Sequence, residues 1–331
     1  MKPVKLIAEI GSVHDGSFGN AVKLIEAAAA CGAHAVKFQT HIAAAETLRN
    51  APNPPYFKGE PRFEYFTRTG FSLSQWKELA DICKRVDVEF LSSPFSLEAV
   101  DLLEEVGVGS YKIPSGEVTN IPLLKKIAAT GKPILLSSGM SDWNELDSAV
   151  AALRGGGPVT VLQCSSAYPC PPEQVGLNVM TEMQKRYGLD VGFSDHTLGV
   201  AAAIAAAALG ASVIEKHFTF SRAMYGSDAA NGTEPGEFKQ LADALAAVSV
   251  MRTQNVDKAD TSPYRDMKRI FEKSVVASRD LPAGHIISEA DLAYKKPGDG
   301  IPASRYQELV GRKLKHAVPG DHQFAAGDLS S

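Results

Sequence analysis

The sequence has little of what several specialised protein classes need. Its 331 residues include four cysteines, Cys31, Cys83, Cys164 and Cys170, too few and too scattered for a disulfide framework or a zinc motif. They read as reduced thiols, Cys31 and Cys83 on helices and Cys164 in a strand. No charge of one sign dominates. The 34 basic and 38 acidic residues leave a net charge of −4, which argues against nucleic-acid and membrane-surface binding. The opening MKPVKLIAEIG lacks an apolar signal core and a small-residue cleavage site. Long hydrophobic runs are missing too. A long uncharged stretch, Leu198–Ile214, falls short of the roughly 20 residues a membrane span requires and is mostly Ala and Gly. A cytoplasmic protein is expected. With 44% apolar and 22% charged residues, the composition also excludes disorder and a collagen-like fibre.

What is present is alternation. Short β-branched runs and amphipathic stretches succeed one another eight times. The predicted strands are Val4–Gly11, His34–Thr40, Val88–Phe95, Gly109–Ser115, Pro133–Gly139, Val159–Ser166, Asp190–Thr197 and Ser212–Phe218. Helix-ending glycines announce several of them: Gly32, Gly107, Gly131 and Gly210. Eight βα units in about 250 residues predict an α/β fold, a closed (β/α)8 TIM barrel. An open doubly wound sheet is the alternative, but it wants a G-x-G-x-x-G turn after the first strand, and GSVHDG is not that pattern. The connection Ile42–Gly70 is long and Pro-rich, and is expected to be an irregular loop that covers a substrate at the rim. The barrel is expected over residues 1–252, and a polar linker over 253–272. From there to residue 331 the texture changes to short strands and Pro-Gly turns. This tail echoes itself: Pro282, Asp291 and Leu292 are matched 37 residues later by Pro319, Asp328 and Leu329. A small, β-rich, internally pseudo-symmetric domain is implied.

In such a barrel the chemistry sits at the C-terminal strand ends. In chain order these carry Glu9; Lys37, Gln39 and Thr40; Ser93; Lys112, Ser115 and Glu117; Ser137; Ser165 and Ser166, with Tyr168 beyond; Ser194, Asp195 and His196; and His217. Any one serine reads first as a strand cap, but the set does not. A lysine inside a buried strand is unfavourable unless an anion pairs with it. Lys37 and Lys112, ringed by hydroxyls, therefore describe a pocket for a phosphate or carboxylate. His196 and His217 end neighbouring strands. Two imidazoles with open positions suit a divalent transition metal such as Mn²⁺. A structural or general-base role is the alternative, and the residues alone leave both open. Glu9 and Glu117 are candidates for the base or for orienting water. His14, in the first loop, reads as a turn residue or a rim residue.

Taken together, these segments resemble a known family. AEIGSVHDGS (Ala8–Ser17), VKFQTH (Val36–His41), LSSPFS (Leu91–Ser96), YKIPSGE (Tyr111–Glu117) and SSGM (Ser137–Met140) are followed by QCSSAYP (Gln163–Pro169), GFSDHT (Gly192–Thr197), EKHFT (Glu215–Thr219) and YGSD (Tyr225–Asp228). They stand in the order found in the sialic acid synthases, among them N-acetylneuraminate, legionaminate and pseudaminate synthases. The tail resembles that family's antifreeze-like (SAF) domain. The resemblance implies condensation of phosphoenolpyruvate with an N-acetylated mannosamine-type sugar. N-acetylmannosamine comes first, and the dideoxy diacetamido sugars that lead to legionaminate or pseudaminate come next. It implies that His196 and His217 hold a divalent metal, Mn²⁺ first, with Mg²⁺ or Co²⁺ as alternatives. Lys37, Lys112, Ser93, Ser115, Ser137, Ser166 and Ser194 would hold the phosphoenolpyruvate. Glu9 would activate the water and Glu117 assist. Gln39 joins the substrate-binding set, and Tyr168 and Asp228 would contact the sugar or close the site. It also implies a domain-swapped homodimer, the tail of one subunit covering its partner's site.

The sequence departs from the family pattern in three places. The first loop reads SVHDG where an Asn-His-Asn-Gly core is usual. Ser93 and Ser166 replace Thr and Asn. Lys296 stands where relatives carry an arginine that recognises the N-acetyl group, and lysine lacks the planar fork. Two rival functions follow different logic. A synthase of keto-deoxy sugar phosphates would need a second phosphate site, for which no additional Arg-rich loop is evident. A non-catalytic sugar- or ice-binding barrel would have no use for Glu9, Lys37, Lys112, His196 and His217 together at strand ends.

Overall fold

The computed structural model describes residues 3–53, 59–226 and 228–330. Eight strands close a parallel barrel in chain order: β1 (Lys5–Gly11), β2 (Ala35–Thr40), β3 (Glu89–Pro94), β4 (Tyr111–Ile113), β5 (Ile134–Ser137), β6 (Val159–Cys164), β7 (Asp190–Asp195) and β8 (Val213–His217). Their bounds follow the β-branched runs closely. β4 is the exception, cut short because Pro114 has no N–H to give the ladder. The helices between them start on side-chain caps. Ser17 Oγ accepts from Asn20 N at 3.2 Å to open the helix Phe18–Ala30. Ser72 and Gln75 form a capping box for Leu73–Arg85. The four helix-ending glycines all take positive φ, from +70° at Gly131 to +117° at Gly210.

The connection Ile42–Gly70 differs from the expected irregular loop. It holds two short helices, Ala43–Glu46 and Arg62–Thr69, and the second buries Tyr65 and Thr69 one turn apart. Residues 54–58 of this connection lie outside the described residues.

Alternation along the strands divides the barrel wall into two faces. Outward residues such as Leu6, Ile10, Val36 and Phe38 pack under the helices. Inward, Ile7, Ala35, Leu91, Leu135, Leu162 and Val213 form a separate apolar plug, the larger ones contributing about 1.5–3 kcal/mol each. One ion pair breaks the apolar character of the outward face. Lys216 Nζ meets Asp195 Oδ2 at 2.8 Å, with side-chain exposures of 1% and 0%. The same ammonium donates to the Thr197 carbonyl at 2.8 Å, and Thr197 N donates back to Asp195 Oδ1 at 2.9 Å.

The chain divides into two compact units, Met1–Gln254 and Asn255–Ser331. The segment read as a linker groups with the second unit and contains the helix Arg265–Phe271. There β9 (Ser274–Ala277) pairs antiparallel with β10 (Leu292–Lys295) over a core that includes Val275, Leu281, Leu314 and Phe324. The sequence echo is an echo in space. Leu281 and Val318 bridge one another, and Gly284 and Asp321, 37 residues apart, both take positive φ. His285 meets Asp291 at 2.8 Å, and His322 meets Asp328 at 2.8 Å. All four cysteines are free thiols. Among the described residues no helix is long and apolar enough to cross a membrane.

Candidate functional site

Two residues above the apolar plug, the inward face turns polar. Glu9, Lys37, Ser93, Ser137, Cys164 and Glu215 follow Ile7, Ala35, Leu91, Leu135, Leu162 and Val213 by two, with Lys112 and Ser194 from β4 and β7. The next step of two reaches the strand ends, where Gln39, Ser166, His196 and His217 stand. Above this polar floor opens a cavity of about 600 Å³, lined by groups from both layers.

The floor is a charge network. Lys37 Nζ lies 2.9 Å from Glu9 Oε2, 3.3 Å from Ser93 Oγ and 3.7 Å from Glu215 Oε1. Lys112 Nζ donates to Ser137 Oγ at 2.6 Å and lies 3.5 Å from Glu215 Oε1, which also accepts from Ser194 at 3.0 Å. The anions that sequence reasoning required for the two lysines are thus partly built in, as Glu9 and Glu215. Burial disfavours ionisation of Glu215, but Lys112 and Lys37 override it and hold its pKa at about 2. Burial dominates at Glu9, whose pKa is raised although Lys37 pulls it down. Burial also dominates at Lys112, whose pKa is lowered despite Glu215, with Lys37 adding repulsion. Lys112 is an ammonium short of negative charge, and an arriving anion would complete it.

Around the rim the elements hold functional groups in fixed directions. Gln39 Nε2 donates to Glu9 Oε1 at 2.8 Å. Asp228, in the loop after β8, accepts from both N and Oγ of Ser12 at 2.9 and 3.0 Å. Gly11 makes room for this contact: its φ is +53°, and a Cβ would come 2.3 Å from Asp228 Oδ2. At Gly139 a Cβ would fall 2.4 Å from Ser166 Oγ and 2.6 Å from Ser115 Oγ, so the missing side chain leaves a cradle between two hydroxyls.

His196 and His217 face one another with ring centroids 5.6 Å apart. The Ser165 carbonyl accepts from His196 Nδ1 at 2.8 Å, which leaves Nε2 as the lone-pair nitrogen, 3.2 Å from Tyr168 Oη. His217 Nδ1 is buried with no hydrogen-bond partner among the described residues. An oriented ring beside an orphaned nitrogen fits a two-imidazole metal site whose remaining positions fall to substrate and water. The described residues contain no cluster of three or more His, Cys, Asp or Glu that could hold an ion by themselves.

Twelve predicted residues border the cavity: Glu9, Lys37, Gln39, Lys112, Ser115, Ser137, Ser166, Tyr168, Ser194, His196, His217 and Asp228. Three do not. Ser93 is fully buried behind the floor, where it steers Lys37. Glu117 is half-buried and accepts from Asn120 at 2.7 Å, its pKa raised by burial. Lys296 belongs to the second unit and lies 4.8 Å from the Phe271 ring centroid. His14 is a turn residue: it is buried against Phe71, and its Nδ1 accepts from Gly16 N at 3.1 Å. Glu215 and Cys164 escaped the sequence reading, which in β6 and β8 took only the residues at the strand ends. A count of two back from His217 would have found Glu215. Arg62, His41, Phe66 and Phe95 also line the cavity, and three of them lie in or beside the long connection, where no periodicity points.

Comparison with known proteins finds matches to both parts of the chain. Residues 24–257 match the model of the NeuB family, and residues 272–329 match the SAF domain. The chain is 40% identical over 321 residues to the N,N'-diacetyllegionaminic acid synthase of Campylobacter jejuni, covering 94% of this chain and 96% of that one. It is 34% identical to the human N-acetylneuraminate-9-phosphate synthase, covering 96% and 90%. Among solved structures, the N-acetylneuraminic acid synthetase of Leptospira borgpetersenii superposes with a TM-score of 0.71 at 28% identity, covering 81% of this chain and 91% of that one.

Proposed function

The chain belongs to the NeuB family, and from that premise we propose that it condenses phosphoenolpyruvate with an N-acetylated mannosamine-type sugar and water, giving a nine-carbon 2-keto acid and phosphate. The observation that carries this reading is the pair of lysines inside the barrel. A trianionic enol phosphate supplies what Lys112 lacks, and the hydroxyls of Ser115, Ser137 and Ser166 stand around the same cavity to donate to its oxygens. Ser93 directs Lys37, and Ser194 holds Glu215, so both act on the anion through a neighbour.

The chemistry joins C3 of phosphoenolpyruvate to the aldehyde carbon of the open-chain sugar. Water adds at C2, and the C–O bond to phosphate breaks as the ketone forms. Glu9, its carboxylate made more basic by burial and held by Gln39, receives the proton of that water, and Glu117, set back from the cavity, takes no direct part. Tyr168 and Asp228 orient the sugar. His196 and His217 would hold a divalent ion, Mn²⁺ before Mg²⁺ or Co²⁺, which polarises the aldehyde carbonyl when bound. The enzyme is read as a cytoplasmic homodimer in which the tail of one subunit, bearing Lys296, covers the partner's site.

N-acetylmannosamine, giving N-acetylneuraminate, is the first reading of the acceptor. The 40% identity to a diacetyllegionaminic acid synthase supports a dideoxy diacetamido sugar equally well. The test is phosphate release from phosphoenolpyruvate with each sugar, with Mn²⁺ and after chelation. Release that requires both a sugar and the ion is expected. Absence of release with every sugar would sink the proposal, and full activity after chelation would remove the metal from it.

A further inference from the structure

A row of flat side chains crosses the rim of the cavity. The rings of Phe95 and His41 stack with centroids 4.1 Å apart, those of His41 and Phe66 at 3.7 Å, and the Arg62 guanidinium lies 5.4 Å from the Phe66 centroid. All four border the cavity. The row is fastened to the reaction centre. His41 Nε2 lies 3.1 Å from Gln39 Oε1, and Gln39 in turn donates to Glu9. His41 Nδ1 meets Glu46 at 2.7 Å on its other side. At the open end of the row, Arg62 Nε is buried and has no hydrogen-bond partner among the described residues.

A guanidinium beside an aromatic ring, with a buried N–H and no acceptor among the described residues, is unfavourable unless a ligand supplies an oxygen. The surroundings decide which kind. The Glu46 carboxylate already stands beside the row, 2.7 Å from His41, and the charges of Glu46 and Arg62 both reach Glu117, so the Arg62 charge is in part answered by carboxylates. That balance disfavours a second phosphate and suits a neutral oxygen. Phe66, Phe95 and the exposed Met140 add apolar surface to the same cavity. An acetamido group matches both features, with its carbonyl oxygen and its methyl.

We propose that Arg62 selects the acceptor, its guanidinium donating to an acetamido carbonyl of the sugar while Phe66 and Phe95 receive the methyl. The inference rests on the condensation proposed above and names its acceptor class, a neutral acetamido sugar and not a sugar phosphate. It also assigns N-acetyl recognition to this chain's own barrel, where the resemblance would have placed it at the position of Lys296.

The experiment measures kcat and KM for Arg62→Met, Arg62→Lys and the unaltered protein. The substrates are phosphoenolpyruvate, N-acetylmannosamine, the diacetamido sugars, mannose and N-acetylmannosamine 6-phosphate. Arg62→Met is expected to raise the KM of the preferred acetamido sugar by about 10- to 100-fold, the worth of a charge-assisted hydrogen bond. The KM of phosphoenolpyruvate should hold, and the preference for acetamido sugars over mannose should shrink. Arg62→Lys, which keeps charge without the fork, should recover only part of the loss. An unchanged acceptor KM, an equal rise for phosphoenolpyruvate, full rescue by lysine, or an Arg62-dependent preference for the 6-phosphate would each overturn the assignment. Turnover by the unaltered protein with such a result would leave the condensation standing. No turnover with any sugar would remove both.

Discussion

Replacing Lys216 by methionine tests the frame that carries the two histidines. Asp195 and Lys216 precede and adjoin inward-facing neighbours, His196 and His217, and meet on the outer face of the barrel wall at 2.8 Å. Lys216→Met leaves the Asp195 carboxylate buried with only the Thr197 N–H, and the Thr197 carbonyl loses its donor. Breaking a buried pair from one side costs about 3–5 kcal/mol, because the remaining charge is uncompensated. In a domain of this size each kcal/mol moves the melting temperature by about 2–4 °C, so a fall of about 6–20 °C is expected. Asp195→Asn together with Lys216→Met removes the stranded charge while keeping an acceptor for Thr197 N, and should regain most of that loss. Calorimetry or far-UV circular dichroism of the full chain reads both. A single variant that melts within about 2 °C of the unaltered protein, or a double variant no better than the single, would refute the argument.

Other consequences follow from particular contacts. Gly139→Ala drives a methyl between Ser166 Oγ and Ser115 Oγ, and should raise the KM of phosphoenolpyruvate by up to about 100-fold with no comparable loss of thermal stability. Steady-state kinetics at saturating sugar read this, and an unchanged KM would take both hydroxyls out of the anion site. In the tail, hydrogen bonding to His285 holds Asp291 well below the ordinary carboxylate range. Asp328 is also lowered: burial opposes the shift, but the Ala325 N–H and His322 prevail. Groups with depressed folded-state pKa values contribute stability above their unfolded value, about 3.9, and lose it as pH falls through the folded one. Urea unfolding of the full chain, followed at the methyls of Val275 and Leu314, should therefore show the tail weakening below about pH 4. Asp291→Asn should flatten that dependence, and a tail equally stable at pH 7 and pH 3 would contradict it.

Much of the architecture was legible because a barrel is built from local signals. Each strand announces itself by a β-branched run, four helix ends by a glycine, and neither signal needs a distant partner. The polar strand ends were legible for the same reason, since a lysine in an apolar run is conspicuous wherever it lies. Glu215 was readable by period-two counting back from His217, but its neighbour Lys216 in EKHFT is as conspicuous a charge, and only that count separates the inward residue from the outward one. Arg62 carried no signal. It reaches the cavity wall from a connection that composition names only as a loop.

The sequence by itself determined the eight-fold βα alternation, the pseudo-symmetric tail and the set of ionisable strand ends, because these depend on local propensity and residue type. Tertiary structure alone decided how the charges are partnered. The two lysines already lean on Glu9 and Glu215, Lys112 remains under-compensated, and the stack His41–Phe66–Arg62 stands beside Gln39. The physical reason is that burial and electrostatic energy depend on distances between residues far apart in the chain, and only closure of the barrel sets them.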